Sequence, residues 1–248
     1  MNTSPLASAT FASLLGTVLA FSPSAGAQPE IPLKEAKLNI EHNATDRDTG
    51  FQGAIDSEGW KELTVTGPDG VVLKFEGRGK LRKLGLTELF FETVEPENAD
   101  VPINELLSTL PEGHYKISGP AAGGDGAITS GTAWLTHNIP AGPVLLSPAE
   151  GATVPVGDLV MRWNPVTKTI KGTKVKIIAY QLIVEKDQPP QRHMIGQTGS
   201  LSMYLLPSVT RITVPRAFLE AASPYDWEVL AIEESGNQTL SSGTFQTQ

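Results

Sequence analysis

The chain has 248 residues, with 24 Gly and 19 Pro, 40% hydrophobic and 6% aromatic residues, and no cysteine. That length suits two compact domains of about 100 residues each, and without cysteine each core must rest on apolar packing and not on disulfide staples. The net charge of −8 lies wholly in residues 28–142, which hold 10 Lys and Arg against 18 Asp and Glu, whereas residues 143–248 hold 9 of each; such a chain lacks the basic footprint of a nucleic-acid or anionic-lipid binder.

Residues 11–21 form an apolar run too short to span a membrane, and Ala25-Gly26-Ala27 follows as an A-x-A cleavage pattern. Residues 1–27 therefore read as an export signal peptide, with the mature chain starting near Gln28. Residues 1–10 carry no Lys or Arg, and the alternative is an alanine- and serine-rich disordered tail. No later stretch approaches ~18 consecutive apolar residues, so no membrane insertion is expected after cleavage. An exported chain without cysteine favours a bacterial envelope, periplasmic or extracellular, over an animal matrix. The sequons at Asn43-Ala44-Thr45 and Asn237-Gln238-Thr239 matter only on a eukaryotic secretory route.

Residues 28–142 read as an acidic, β-rich domain. Leu38-Asn39-Ile40-Glu41 is an early strand, and 62–65 and 71–75 flank a Gly67-Pro68-Asp69-Gly70 hairpin turn. Leu89-Phe90-Phe91 is expected in the core. A helix is predicted over 103–110, with Asp100 near its N-cap and Pro111-Glu112-Gly113 ending it. Beyond it, 115–117 and 132–135 pair across Gly123-Gly124-Asp125-Gly126. The helix followed by Glu112-Gly113-His114-Tyr115 resembles the corner before a penultimate sandwich strand, which implies an immunoglobulin-like sandwich here too.

Asn138-Ile139-Pro140-Ala141-Gly142-Pro143 is the boundary, a short connector whose prolines cannot continue a ladder; two sandwiches joined this way are expected to form a stiff rod. In residues 143–248, period-2 runs with turn residues between them read as a sandwich. Leu159, Met161 and Trp163 share one strand face, as do Tyr180, Leu182 and Val184, and Tyr225, Trp227, Val229 and Ala231. Residues 211–215 supply another strand. Trp163, Tyr180, Leu219 and Tyr225, with the turn at 231–237, resemble the fibronectin type III family. The resemblance implies a seven-stranded sandwich without catalytic residues, in which Tyr225 is a corner residue that hydrogen-bonds upstream backbone. No Arg-Gly-Asp is present.

Glu41, Asn43, Asp46 and Asp48, with Asp56 further on, form the sharpest polar cluster, and a D-x-D-x-G loop can turn carboxylates toward a calcium ion. The competing reading is a solvated turn whose Asp and Asn bond their own backbone. His42, His114, His137 and His193 lack zinc-ligand spacing. Glu88, Glu92, Glu95 and Glu97 supply paired carboxylates, but hydrolase, nucleotide and zinc motifs are absent. Arg78, Lys80, Arg82 and Lys83 are the one basic cluster. The sequence thus points to an all-β chain of two tandem immunoglobulin-like β-sandwiches. Its expected role is an exported, non-enzymatic module binding a protein or glycan partner, with no resident cofactor apart from the calcium candidate. The alternatives are a structural spacer of an envelope assembly and an unrecognised enzyme.

Overall fold

The computed structural model describes residues 28–124 and 126–248, so the export-signal expectation for residues 1–27 lies outside the described residues. The N-terminal half runs β1 (Glu30–Pro32), β2 (Glu35–Asn43), β3 (Asp48–Trp60), β4 (Glu62–Gly67), β5 (Gly70–Glu76), α1 (Gly79–Leu84), β6 (Leu86–Glu92), α2 (Ile103–Leu107), β7 (Gly113–Pro120) and β8 (Ile128–Leu135). The C-terminal half runs β9 (Leu145–Ser147), β10 (Ala152–Val154), β11 (Val160–Trp163), β12 (Ile177–Lys186), β13 (Ser200–Leu205), β14 (Arg211–Thr213), β15 (Pro224–Glu233) and β16 (Gln238–Thr247).

Alternation builds two sandwiches. In the first half, β2-β3-β6 faces the sheet β1-β8-β7-β4-β5, and Leu38, Ile40, Phe51, Ile55, Leu63, Val65, Tyr115, Ile117 and Leu135 fill the space between. In the second half, β13-β12-β15-β16 faces β14-β11-β9 around Met161, Trp163, Tyr180, Leu182, Val184, Tyr225, Trp227 and Val229. Each fully buried aliphatic or aromatic side chain of this kind contributes about 1.5–3 kcal/mol. The faces read from the sequence for Leu159-Met161-Trp163, Tyr180-Leu182-Val184 and the Tyr225 strand are the buried ones.

Both halves carry a tyrosine corner. The Glu220 amide donates to the Tyr225 hydroxyl at 2.8 Å, and the Tyr115 hydroxyl donates to the Pro111 carbonyl at 2.7 Å. Each ring is buried while its polar tip reaches backbone just upstream, the arrangement that locks a sandwich strand at its start.

Three local expectations are corrected. The helix ends at Leu107, not 110, because the Ser108 and Thr109 hydroxyls bond back to the Glu105 and Leu106 carbonyls at 2.6 and 2.7 Å and compete with the helical ladder. Its N-cap is Pro102, without a side-chain cap, while the Asp100 amide turns back to the Glu97 carbonyl. Leu89 and Phe91 pack against the core, but Phe90, between them in a strand, points outward.

The halves lie side by side and not end to end as a rod. Gln238, Thr239 and Leu240 of β16 pair in parallel with Glu41, His42 and Asn43 of β2, so one sheet runs β13-β12-β15-β16-β2-β3-β6 through both sandwiches. The connector is fastened along its length. Thr239 Oγ1 donates to the Pro140 carbonyl at 2.7 Å, the Ala141 amide donates to the Lys168 carbonyl at 2.9 Å, and Pro140 bridges Thr169. Gly142 fits because a Cβ there would lie 2.4 Å from the Ala44 Cβ. Its backbone groups are thus taken by the second sandwich, and the sheet edge that would have been free is consumed.

Candidate binding groove

The outer face of this shared sheet is unusual from the sequence upward. A sheet face open to water should alternate to polar residues, yet between the core-facing Val229 and Ala231 of β15 the outward Leu230 is also buried, as is Leu240 beside it on β16. Register aligns the outward side chains in rows, one of which crosses from one half to the other at Gln238 and Glu41. Tyr204, Gln181, Leu230 and Leu240 form one row, Ala179, Ile232, Gln238 and Glu41 the next, and Lys37, Ala54 and Phe90 a third. Together they floor a groove of about 810 Å³ that crosses the junction, within the range of pockets that enclose a ligand. Phe90 is 64% exposed, Tyr204 71% and Trp134 54%, and all three line it. Trp134 is stacked with His114, 6.5 Å between ring centres.

Carboxylates are set among these apolar groups. Glu41 receives Gln238 Nε2, which also donates to Gln52 Oε1 at 3.0 Å, and Gln52 Nε2 donates to Glu92 at 2.8 Å. Glu95 lies over Gly50, where a Cβ would come within 2.7 Å of the Glu95 Cγ; the missing side chain makes room for that carboxyl. Oxygens of Glu41, Glu92 and Glu95 all fall within 4.8 Å of one another. Burial, with the charges of Glu41, Glu92 and Asp48 behind it, pushes Glu95 up to about 7. Burial raises Glu41 as well, only partly opposed by the hydrogen bond from Gln238. Burial also raises Glu228 on β15, with Glu41 and Glu185 adding to it. These are like charges held together on one face, each disfavouring the others' ionisation.

Of the residues singled out for calcium, the structure brings some together and separates others. Asn43 folds onto the turn between β2 and β3. Its Oδ1 accepts from the Thr45 and Asp46 amides at 2.9 and 3.0 Å, and its Nδ2 donates to the Asp46 carboxylate at 2.8 Å. Asp48 opens β3 opposite Asn43, with burial raising its pKa ahead of the Asp46 charge. Asp56 pairs with Glu35 at the other end of the hairpin, eight residues or roughly 26 Å along the strand. Glu41 faces the groove, not the turn. Among the described residues, the carboxylates close enough together to hold a cation are instead Glu41, Glu92 and Glu95, of which the calcium reading included only Glu41.

The groove was not foreseen from the sequence. Its one sequence signal was the loss of alternation at Val229-Leu230-Ala231-Ile232, the mark of a strand covered on both faces. Of the two sequons, Asn237 is buried at the junction, where its side chain is hydrogen-bonded.

No family model matches this chain, and no curated protein matches it. Among solved structures it is similar to the third fibronectin III domain of human KIAA0343 protein, with 18% identity over 44% of this chain and 84% of that one, TM-score 0.32. It is also similar to a two-domain fibronectin type-III segment of chicken tenascin, with 12% identity over 87% of this chain and 99% of that one, TM-score 0.31. For the FN1–FN3 domains of chicken CNTN1 the values are 12%, 90%, 66% and 0.33. The strands, the two cores and the two tyrosine corners define an all-β protein of two immunoglobulin-like β-sandwiches. Among the described residues no helix is long and apolar enough to cross a membrane.

Proposed function

We propose that the chain is an exported, non-enzymatic binding module of the cell envelope that recognises a protein or glycan partner through the groove. The observation that carries this reading is the groove itself, apolar-floored and rimmed by the exposed rings of Phe90, Trp134 and Tyr204, since a concave, largely apolar cleft with a few polar groups is where ligands bind. The apolar run at 11–21 and the A-x-A pattern at 25–27 support export. The test is capture from an envelope extract by the immobilised chain, comparing wild type with Phe90→Ala combined with Tyr204→Ala. A partner retained by wild type and lost by the double variant supports the reading; equal capture by both overturns the groove as the surface used.

A spacer of an envelope assembly is the second reading, favoured by the fastened connector and the parallel β16–β2 pairing, which suppress bending between the halves. It predicts that the double variant loses nothing in assembly, whereas loosening the junction does.

A further inference from the structure

Among the described residues, four carboxylates, Glu35, Glu41, Glu228 and Glu234, line the groove with one basic side chain, Lys37. Lys37 is spent on Glu35 at 3.1 Å, and Glu234 is matched from outside by Lys176 at 3.1 Å. Glu41 and Glu228 have no Lys or Arg within ion-pair distance among the described residues, and Glu92 adds to the uncompensated charge beside Glu41. A neutral ligand would cover the apolar floor but would strand these carboxylates away from water, which is unfavourable. A cation would cancel their mutual repulsion, and the exposed faces of Phe90, Trp134 and Tyr204 also attract cations.

The length of the face separates a polypeptide from a small cation. Phe90 stands on β6 at one edge of the sheet and Tyr204 on β13 at the other. Six inter-strand spacings of about 4.8 Å, with the Phe90 row offset from the Tyr204 row by six residues or roughly 20 Å along the strands, put the two rings roughly 35 Å apart, the reach of about ten extended residues. Beneath that span lie the carboxylates of Glu228 and Glu41 together with Leu230 and Leu240.

Resting on the reading of the groove as the binding surface, we propose that its occupant is a lysine- or arginine-bearing polypeptide segment of another protein. Its basic side chains would meet Glu41 and Glu228, and its apolar ones would lie on Leu230, Leu240 and the aromatic rim.

The test titrates the full chain with a blocked ten-residue peptide alternating Lys and Val, with the same peptide carrying Gln for Lys, and with a neutral cello-oligosaccharide. The lysine peptide is expected to bind at least about tenfold more tightly than its Gln counterpart and to weaken steeply between roughly 50 and 500 mM salt. Glu41→Gln and Glu228→Gln should each weaken it about three- to tenfold, while Glu58→Gln, outside the groove, should not. Both groove substitutions remove a like-charge conflict, so a melt should show them folded. Equal binding of the Gln peptide or the sugar, lost with Phe90→Ala and Tyr204→Ala, overturns the cationic partner and keeps the groove. No peptide or sugar binding, together with unchanged extract capture by the double variant, overturns both. Concentration-dependent self-association abolished by Lys80→Glu and Lys83→Glu on α1 would reassign the groove to a second copy of this chain.

Discussion

The side chain of Asn237 ties backbone of Ile40 and of Thr136 together at the junction of the two sandwiches. Its Oδ1 accepts the Ile40 amide at 2.8 Å, and its Nδ2 donates to the Thr136 carbonyl at 2.9 Å. Ile40 lies on β2 and Thr136 just after β8, so one amide from the β15–β16 turn satisfies backbone from both sheets of the first sandwich. Asn237 is almost fully buried, so water cannot replace it. Asn237→Ala strands a donor and an acceptor, each worth about 1–3 kcal/mol, and the melting midpoint should fall by roughly 5 °C or more. Proteolysis between residues 136 and 142 should accelerate in the same variant. A midpoint within a degree of wild type would show that the junction does not depend on this residue. By the same burial, chain secreted from a eukaryotic host should carry no glycan at Asn237 on mass spectrometry.

The corner hydroxyls of Tyr115 and Tyr225 each make one bond to backbone, in separate cores. Tyr→Phe at either position keeps the ring and deletes the bond, a loss of about 0.5–1.5 kcal/mol in denaturant unfolding. With no shared partner, the two losses should add in the double variant within about 0.5 kcal/mol. A coupling well above that would mean the sandwiches unfold as one network through the shared sheet.

What could be read from the sequence follows from how local each signal is. The buried faces of β11, β12 and β15 were legible because period-2 burial is written in consecutive residues, and Tyr225 because its corner partner lies five residues away. The groove and the junction join residues about 200 positions apart, such as Gln238 with Glu41, and no local pattern encodes a parallel pairing between sandwiches. Asn237 looked like a sequon because its triplet is chemically complete; only its burial changes that. Glu92 and Glu95 were visible as carboxylates, but their meeting with Glu41 depends on Gly50 leaving room across the strand.

At the turn between β2 and β3, the Asp46 carboxylate and the Asn43 amide already satisfy one another and the turn's backbone. Melts in calcium and in chelator should therefore coincide within about a degree. Saturating a specific site at ~100-fold over its dissociation constant would add about 2.7 kcal/mol, a displacement too large to miss. A displacement cancelled by Asp46→Ala and Asp48→Ala would make the turn a metal loop, and one cancelled by Glu92→Gln would place the ion on the sheet face instead.

Glu95 should make stability depend on pH in a direction opposite to an ion-paired acid. Its folded pKa is about 7 against an ordinary 4.5, so between those values the folded state holds a proton that the unfolded state has released. Stability from this group is then greatest below about 4.5, declines as pH rises, and is lowest above about 7, where the buried carboxylate is charged. Glu95→Gln removes the penalty. The variant's midpoint should match wild type near pH 4.5 and exceed it near pH 8, with the gap opening as pH climbs between them. Glu41→Gln and Glu228→Gln share the sign, since both carboxyls are raised chiefly by burial. A gap that stays constant from pH 4.5 to 8 would mean that Glu95 is not held against its charged form, and that the crowding of carboxylates on this face is relieved in solution without a cation.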